Sequence, residues 1–148
     1  MITKITKGII ILPAYILTVV TVAIVLYLTL APDPFNGAQP VALFPGADKV
    51  VHAIMMAGVY LCMAVDHMRR GRQWCRLSTP AYWIIYIIVV AFGGAIELAQ
   101  GVMDMGRGCD LLDFVADIAG TTVAAVTLSL LPWPQRLTGA KPHPEDRG

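Results

Sequence analysis

Nine side chains of this 148-residue chain have the types and the spacing to do chemistry together. Asp48 and His52 are four residues apart, which on a helix places them on one face, with Lys49 beside them. Glu97 and Gln100 are three apart, one helical turn. Asp110, Asp113 and Asp117 follow at i, i+3 and i+7 and align on one stripe, and Arg107 stands just before them. Three chemistries suit such a set. His52 paired with a carboxylate is a general acid–base couple. Several carboxylates suit a divalent cation. Arg107 and Lys49 suit a phosphate.

These residues lie at the ends of four apolar runs. The composition is 57% hydrophobic and 14% charged, against about 25% charged in soluble domains. A soluble fold of this length has no interior large enough to hide that surface. Ile9 to Leu30 carries no charge and is long enough to cross about 30 Å of hydrocarbon. Lys4 and Lys7 precede it as in a signal sequence, but the run is too long for a signal-peptide core, so it reads as a first spanning helix. Residues 31–47, with four prolines and two glycines, form a loop.

Val50–Val65 and Ala81–Ile96 are each 16 residues long, a rise of only about 24 Å. To span, both must borrow residues at their ends. The second thereby draws in Asp48, Lys49 and His52, and the third draws in Glu97 and Gln100. Residues 66–80 form a short basic loop, and 101–110 a polar turn. The last span, 111–131, carries Asp113 and Asp117 in its first two turns, and Pro132 and Pro134 stop it. The expected architecture is all-α: an integral membrane four-helix bundle with spans at about 9–30, 49–67, 80–100 and 111–131. Residues 1–8 and 132–148 form terminal segments outside this domain.

Basic flanks stay cytoplasmic. Nine Lys and Arg residues (Lys4, Lys7, Arg69, Arg70, Arg72, Arg76, Arg136, Lys141, Arg147) fall on one side and only Lys49 and Arg107 on the other. Both termini and the 66–80 loop are therefore expected in the cytoplasm, with the polar helix ends outside. Trp74, Trp83 and Trp133 fall near the cytoplasmic ends, as interfacial anchors do. The arginine cluster reads as a topology signal rather than a nucleic-acid site, and no nucleotide-binding glycine loop accompanies it. Cys62, Cys75 and Cys109 lack metal-site spacing and fall in different segments.

The topology gathers the nine residues at one end. Some have ordinary explanations, since an acidic residue in a helix's first turn caps N–H groups and favours the dipole. That accounts for Asp110 and serves for Asp48. It does not account for Asp117, two turns in, or for Glu97, near a helix C-terminus. Ionisable groups inside a span are costly and face a partner or cavity. A lone His52 would be structural, but carboxylates converge on it.

The series Asp48-Lys49-x-x-His52, Glu97-x-x-Gln100, Arg107-x-x-Asp110-x-x-Asp113-x-x-x-Asp117-x-x-Gly120 resembles the VanZ-like family. The resemblance covers about residues 15–130, and it is the three motifs in order that carry it. The family often has Phe and Tyr where Ala53 and Met56 stand, and usually Asn at the position of Asp117. The resemblance implies a multi-pass protein of the bacterial inner membrane. It implies a link to reduced sensitivity to teicoplanin-type glycopeptide antibiotics and a kinship with lipid headgroup enzymes similar to phosphatidylserine synthases. His52, Glu97, Arg107, Asp110 and Asp113 are the polar positions it carries over. The CDP-alcohol phosphatidyltransferase pattern is not met, for the chain has no Asp-Gly pair.

The expected function is action on a phospholipid or lipid-linked envelope precursor headgroup at the outer face, by a transferase or hydrolase. His52, Glu97 and Asp113 are expected to do the chemistry. Asp48, Lys49, Gln100, Arg107, Asp110 and Asp117 are expected to bind substrate. No residue is assigned to a metal, and a divalent cation stays open as a cofactor. The expected partner is a membrane lipid, not nucleic acid. The competing readings are a non-catalytic lipid-binding or assembly protein, whose polar cluster is structural, and a small ion or proton carrier. Against the carrier, the inner halves of the spans offer no charged relay.

Overall fold

The computed structural model describes residues 13–31, 45–69, 77–103 and 110–131. They form four helices with no strand among the described residues: α1 (Ile16–Leu30), α2 (Ala47–Met68), α3 (Thr79–Met103) and α4 (Leu111–Leu130). The last three are long and apolar enough to cross a membrane, and α1 is a shorter apolar helix. The two short runs lengthen as span length requires. α2 takes in Ala47–Lys49 at one end and Asp66–Met68 at the other, and α3 takes in Thr79 and Glu97–Met103.

Of the span expected at 9–30, residues 9–12 lie outside the described residues, and α1 begins at Ile16. Pro13 to Tyr15 form a turn, with Tyr15 in the left-handed region at φ 62°. Gly46, at φ 85°, opens α2 in a conformation that glycine adopts without steric cost.

The surface is that of a membrane protein. Val19, Ile24 and Tyr27 on α1, Ile54 on α2, Ile84 and Ile87 on α3, and Val115, Val123 and Leu130 on α4 all point outward. Helices apolar on their outer faces need an apolar solvent. Inside, Met56, Val59, Tyr60 and Ala64 of α2 pack with Val25, Ile85, Val89, Ile96, Ala124, Ala125 and Leu128. Polar groups are buried among them: the charged ones gather toward the two ends of the bundle, and the Tyr60 hydroxyl and Thr121 lie between.

α2 packs most extensively against α4, and the two run parallel. Gly120 makes that approach possible, because a Cβ there would sit 2.0 Å from the Ala53 carbonyl oxygen. On α3, Gly93 lies against the Asp117 carboxylate and Gly94 against the Phe114 ring. Small residues that let helices close in are the usual means of packing where lipid offers no hydrophobic drive.

The end of α2 remote from His52 holds an ion pair that sequence reasoning missed. Asp66 and Arg69 were expected in a basic loop, yet both side chains are almost fully buried. Arg69 Nε donates to Asp66 Oδ1 at 2.7 Å, and its Nη2 bonds the same carboxylate and the Pro13 carbonyl. Thr18 donates from both N and Oγ1 to Asp66 Oδ2, at 2.8 and 2.7 Å. This cluster ties α1 antiparallel to α2, and Thr21 adds a contact to Cys62 Sγ at 3.2 Å. Arg69 is thus an internal fastener rather than an exposed charge at the membrane surface. A charged pair does therefore occupy the half of the bundle expected to lack one.

Removing one member of a buried pair strands the other. Arg69→Met is expected to destabilise the folded protein by about 3–5 kcal/mol. Gly120→Ala is expected to cost about 1–3 kcal/mol through overpacking of α2 on α4. Thermal unfolding in detergent measures both, and an unchanged midpoint in either variant would refute its assignment.

Candidate functional site

The ends of α2 and α4 that begin, and the end of α3 that finishes, meet at one pole of the bundle. Two layers of polar side chains result. The shallower layer is built on Lys49, whose Nζ reaches Asp48 Oδ2 at 3.1 Å, Asp110 Oδ2 at 2.9 Å and Asp113 Oδ1 at 2.9 Å. Three carboxylates from two helices thus share one ammonium. Exposure falls across the layer, from 60% for the Asp48 side chain to 15% for that of Asp113.

The deeper layer lies one turn further along both α2 and α4. His52 Nδ1 makes a hydrogen bond with Asp117 Oδ1 at 3.2 Å and lies 3.5 Å from Glu97 Oε1. The three side chains are 10%, 0% and 3% exposed for His52, Asp117 and Glu97, so this layer is effectively out of water. Glu97 Oε1 and Asp117 Oδ2 are buried without a hydrogen-bond partner among the described residues. The other Glu97 oxygen, Oε2, accepts the backbone N–H of Asp110 at 3.1 Å, which fixes the carboxylate's orientation.

Local chemistry explains how the chain delivers these groups. Asp110 is the N-cap of α4, its Oδ1 accepting the Leu112 N–H at 2.8 Å. The cap sets the helix's start and therefore which face Asp113 and Asp117 occupy. Asp48 does not cap α2, where Gly46 holds the N-cap position with no side-chain bond.

The residues expected at the site divide as follows. Asp48, Lys49, Asp110 and Asp113 form the shallow layer, and His52, Glu97 and Asp117 the deep one. Gln100 is buried, and its amide donates to the Thr29 carbonyl at 3.0 Å, fastening α3 to α1. Arg107 lies outside the described residues. The carboxylate expected to orient His52 was Asp48 or Glu97; the structure gives the hydrogen bond to Asp117, with Glu97 next at 3.5 Å and Asp48 held by Lys49 instead. The relevant signal was present, since Asp117 and Glu97 are the acidic residues nearly two turns inside their helices.

The arrangement weighs on the three chemistries. Lys49 is already held by three carboxylates, so a phosphate gains it only by displacing one of them. The described site sets five carboxylates against one ammonium and one imidazole, which favours cations. Acid–base work at His52 has the required geometry, because a ring nitrogen held by a carboxylate is fixed in tautomer and orientation.

Comparison with protein-family models, with curated proteins and with solved structures finds no match to this chain.

The shallow layer leads to a pH prediction. The Asp110 carboxyl is held below its ordinary value of 3.8, first by the Lys49 ammonium and then by the Leu112 N–H. With a depressed value in the folded chain, the stabilisation is complete above the ordinary value and is lost as pH falls through the folded one. Unfolding temperature in detergent is expected to drop as pH is lowered from about 6 to about 3. Lys49→Met is expected to lower stability at neutral pH and to flatten that acid limb. An equally steep limb in the variant would contradict the Lys49–Asp110 assignment.

Proposed function

We propose that this protein is a VanZ-like membrane enzyme acting on the headgroup of a phospholipid or lipid-linked envelope precursor. The observation that carries the reading is the buried His52–Glu97–Asp117 group at one pole of the bundle, with two carboxylate oxygens left without a hydrogen-bond partner among the described residues. Burial of three ionisable side chains in a span is costly, and such groups mark reaction or transport paths. Their position one turn below the exposed carboxylates supports a headgroup rather than an acyl chain as what they act on. The asymmetry of basic residues turns this pole toward the outer face of a bacterial inner membrane.

In this reading His52 accepts a proton from the attacking hydroxyl or water, and Asp117 holds the ring for that task. Glu97, protonated at the start, gives its proton to the leaving group, and the proton held by His52 passes to Glu97 across the 3.5 Å between them to close the cycle. Lys49 keeps Asp48, Asp110 and Asp113 together at the mouth, where they select the headgroup by charge. An anionic headgroup enters such a mouth only in company with a cation. The association with teicoplanin-type glycopeptides rests on the motif resemblance alone.

The test compares membrane lipid and lipid-linked precursor profiles of cells carrying the wild-type protein, His52→Ala or Glu97→Gln at matched abundance. Loss of an acid–base group is expected to slow turnover by about 10²–10⁴-fold, so both variants should match the deletion strain. Normal profiles in both variants would refute the enzyme reading. A loss of protein abundance with no loss of turnover per molecule would favour a structural polar cluster.

A further inference from the structure

We infer that His52, Glu97 and Asp117 form a binding site for a divalent first-row metal ion of the zinc(II) class. One donor atom from each residue can be chosen so that all three lie within 4.8 Å of one another, and all three residues are buried. The geometry is close to a coordination shell. A tetrahedral ion with bonds of about 2.0–2.1 Å separates its ligand atoms by about 3.3 Å. His52 Nδ1 lies 3.2 Å from Asp117 Oδ1 and 3.5 Å from Glu97 Oε1. Two sides of the donor triangle are thus at shell spacing, and the third lies within 4.8 Å.

A second observation is independent of that convergence. Glu97 Oε1 and Asp117 Oδ2 are buried polar atoms without a hydrogen-bond partner among the described residues. Glu97 Oε1 faces the His52 ring, into the same space. Two carboxylates out of water need compensating charge. A single imidazole supplies at most one positive charge, and Lys49 is engaged with Asp48, Asp110 and Asp113. One divalent ion balances both carboxylates.

The donor set narrows the ion. One imidazole and two carboxylates suit zinc, manganese or iron(II). Calcium asks for six to eight oxygens, and magnesium retains its waters in an octahedron. Three protein ligands leave a coordination position open, the pattern of a reacting rather than a structural zinc. The surroundings fit as well. The Asp110 N–H orients Glu97 through its other oxygen, the kind of outer contact that aims a metal ligand. Gly93 leaves room for Asp117, since a Cβ there would come within 2.7 Å of Oδ2.

The inference uses the proposed headgroup reaction only for what the ion would do there. It would supply the positive charge that a phosphate requires and that Lys49 does not have to spare. Its binding stands apart from that reaction. With the ion bound, His52 would be a ligand in place of the base described above, and the ion would lower the pKa of a bound water that attacks instead.

The test uses the full-length chain in detergent, stripped with EDTA and titrated with zinc alone by calorimetry. Cobalt(II) in its place reports coordination through its visible absorption. One zinc per chain is expected, together with a tetrahedral cobalt spectrum. Asp117→Asn and His52→Ala should lose both signals, and Lys49→Gln should keep them. Zinc retained at the same affinity in Asp117→Asn and His52→Ala would overturn the site, because the exposed carboxylates would then be the ligands. Where a variant fails to fold, the wild-type chain decides: no zinc bound, or a cobalt spectrum without a nitrogen ligand, also overturns it. Zinc binding without lipid turnover would refute the headgroup reaction and leave the metal site standing. Turnover by stripped, zinc-free protein would refute the ion's part in that reaction, and the zinc titration alone then upholds or overturns the site.

Discussion

The structure depends on one constraint: a bundle whose outside is apolar has nowhere to put a polar group except inside. Lipid offers no hydrogen bonds, so each buried ionisable side chain must find its partner within the protein. The two polar clusters are solutions to that requirement at opposite poles. At one, Asp66 is satisfied completely, by Arg69 and by both donors of Thr18. At the other, Glu97 and Asp117 each keep a buried oxygen without a partner. The first cluster is what a structural ion pair looks like in a membrane bundle. The second is incomplete in a way that packing alone does not account for, and function is argued from that difference.

The fold serves the incomplete cluster. α2 and α4 run parallel and start at the same pole, so their first turns lie side by side. Gly120 brings the two backbones close, and Gly93 lets α3 close on Asp117. The N-cap of Asp110 fixes the phase of α4, and the same residue's N–H holds Glu97. Gln100 then fastens α3 to α1 through the Thr29 carbonyl. The layering follows from helix geometry. One turn along α2 separates Lys49 from His52, and one turn along α4 separates Asp113 from Asp117. A water-facing ammonium with its carboxylates therefore sits directly above a dry imidazole with two more.

Much of this was legible in the sequence, because span length is a strict requirement. Two 16-residue apolar runs are too short to cross, so Asp48–His52 and Glu97–Gln100 had to join the helices, and they do. Asp117 was singled out by its depth, and its burial follows. Three features were not legible. The start of α1 depends on the turn at Pro13–Tyr15, and Pro13, which a helix's first turn tolerates, did not by itself distinguish a first turn from a turn before the helix. Asp66 lay next to a run of arginines, and local composition disguised a buried pair as part of a basic loop. The partner of His52 was narrowed to Asp48 or Glu97, and the hydrogen bond to Asp117 was obscured because spacing along single helices does not report which groups meet across two. Which of several carboxylates a histidine meets is decided by how closely two helices approach, and here a single glycine decides it.

The central claim is that His52, Glu97 and Asp117 share one site and sense one another's charge. Nitrogen-15 NMR of the full-length protein, labelled at histidine, tests it directly. His52 is distinguished from His67 and His143 by His52→Gln. The account predicts that Asp117→Asn and Glu97→Gln each shift the His52 Nδ1 resonance and alter its titration, while Asp48→Asn leaves both nearly unchanged. A His52 resonance that ignores Asp117→Asn and Glu97→Gln, in protein that remains folded, would contradict it.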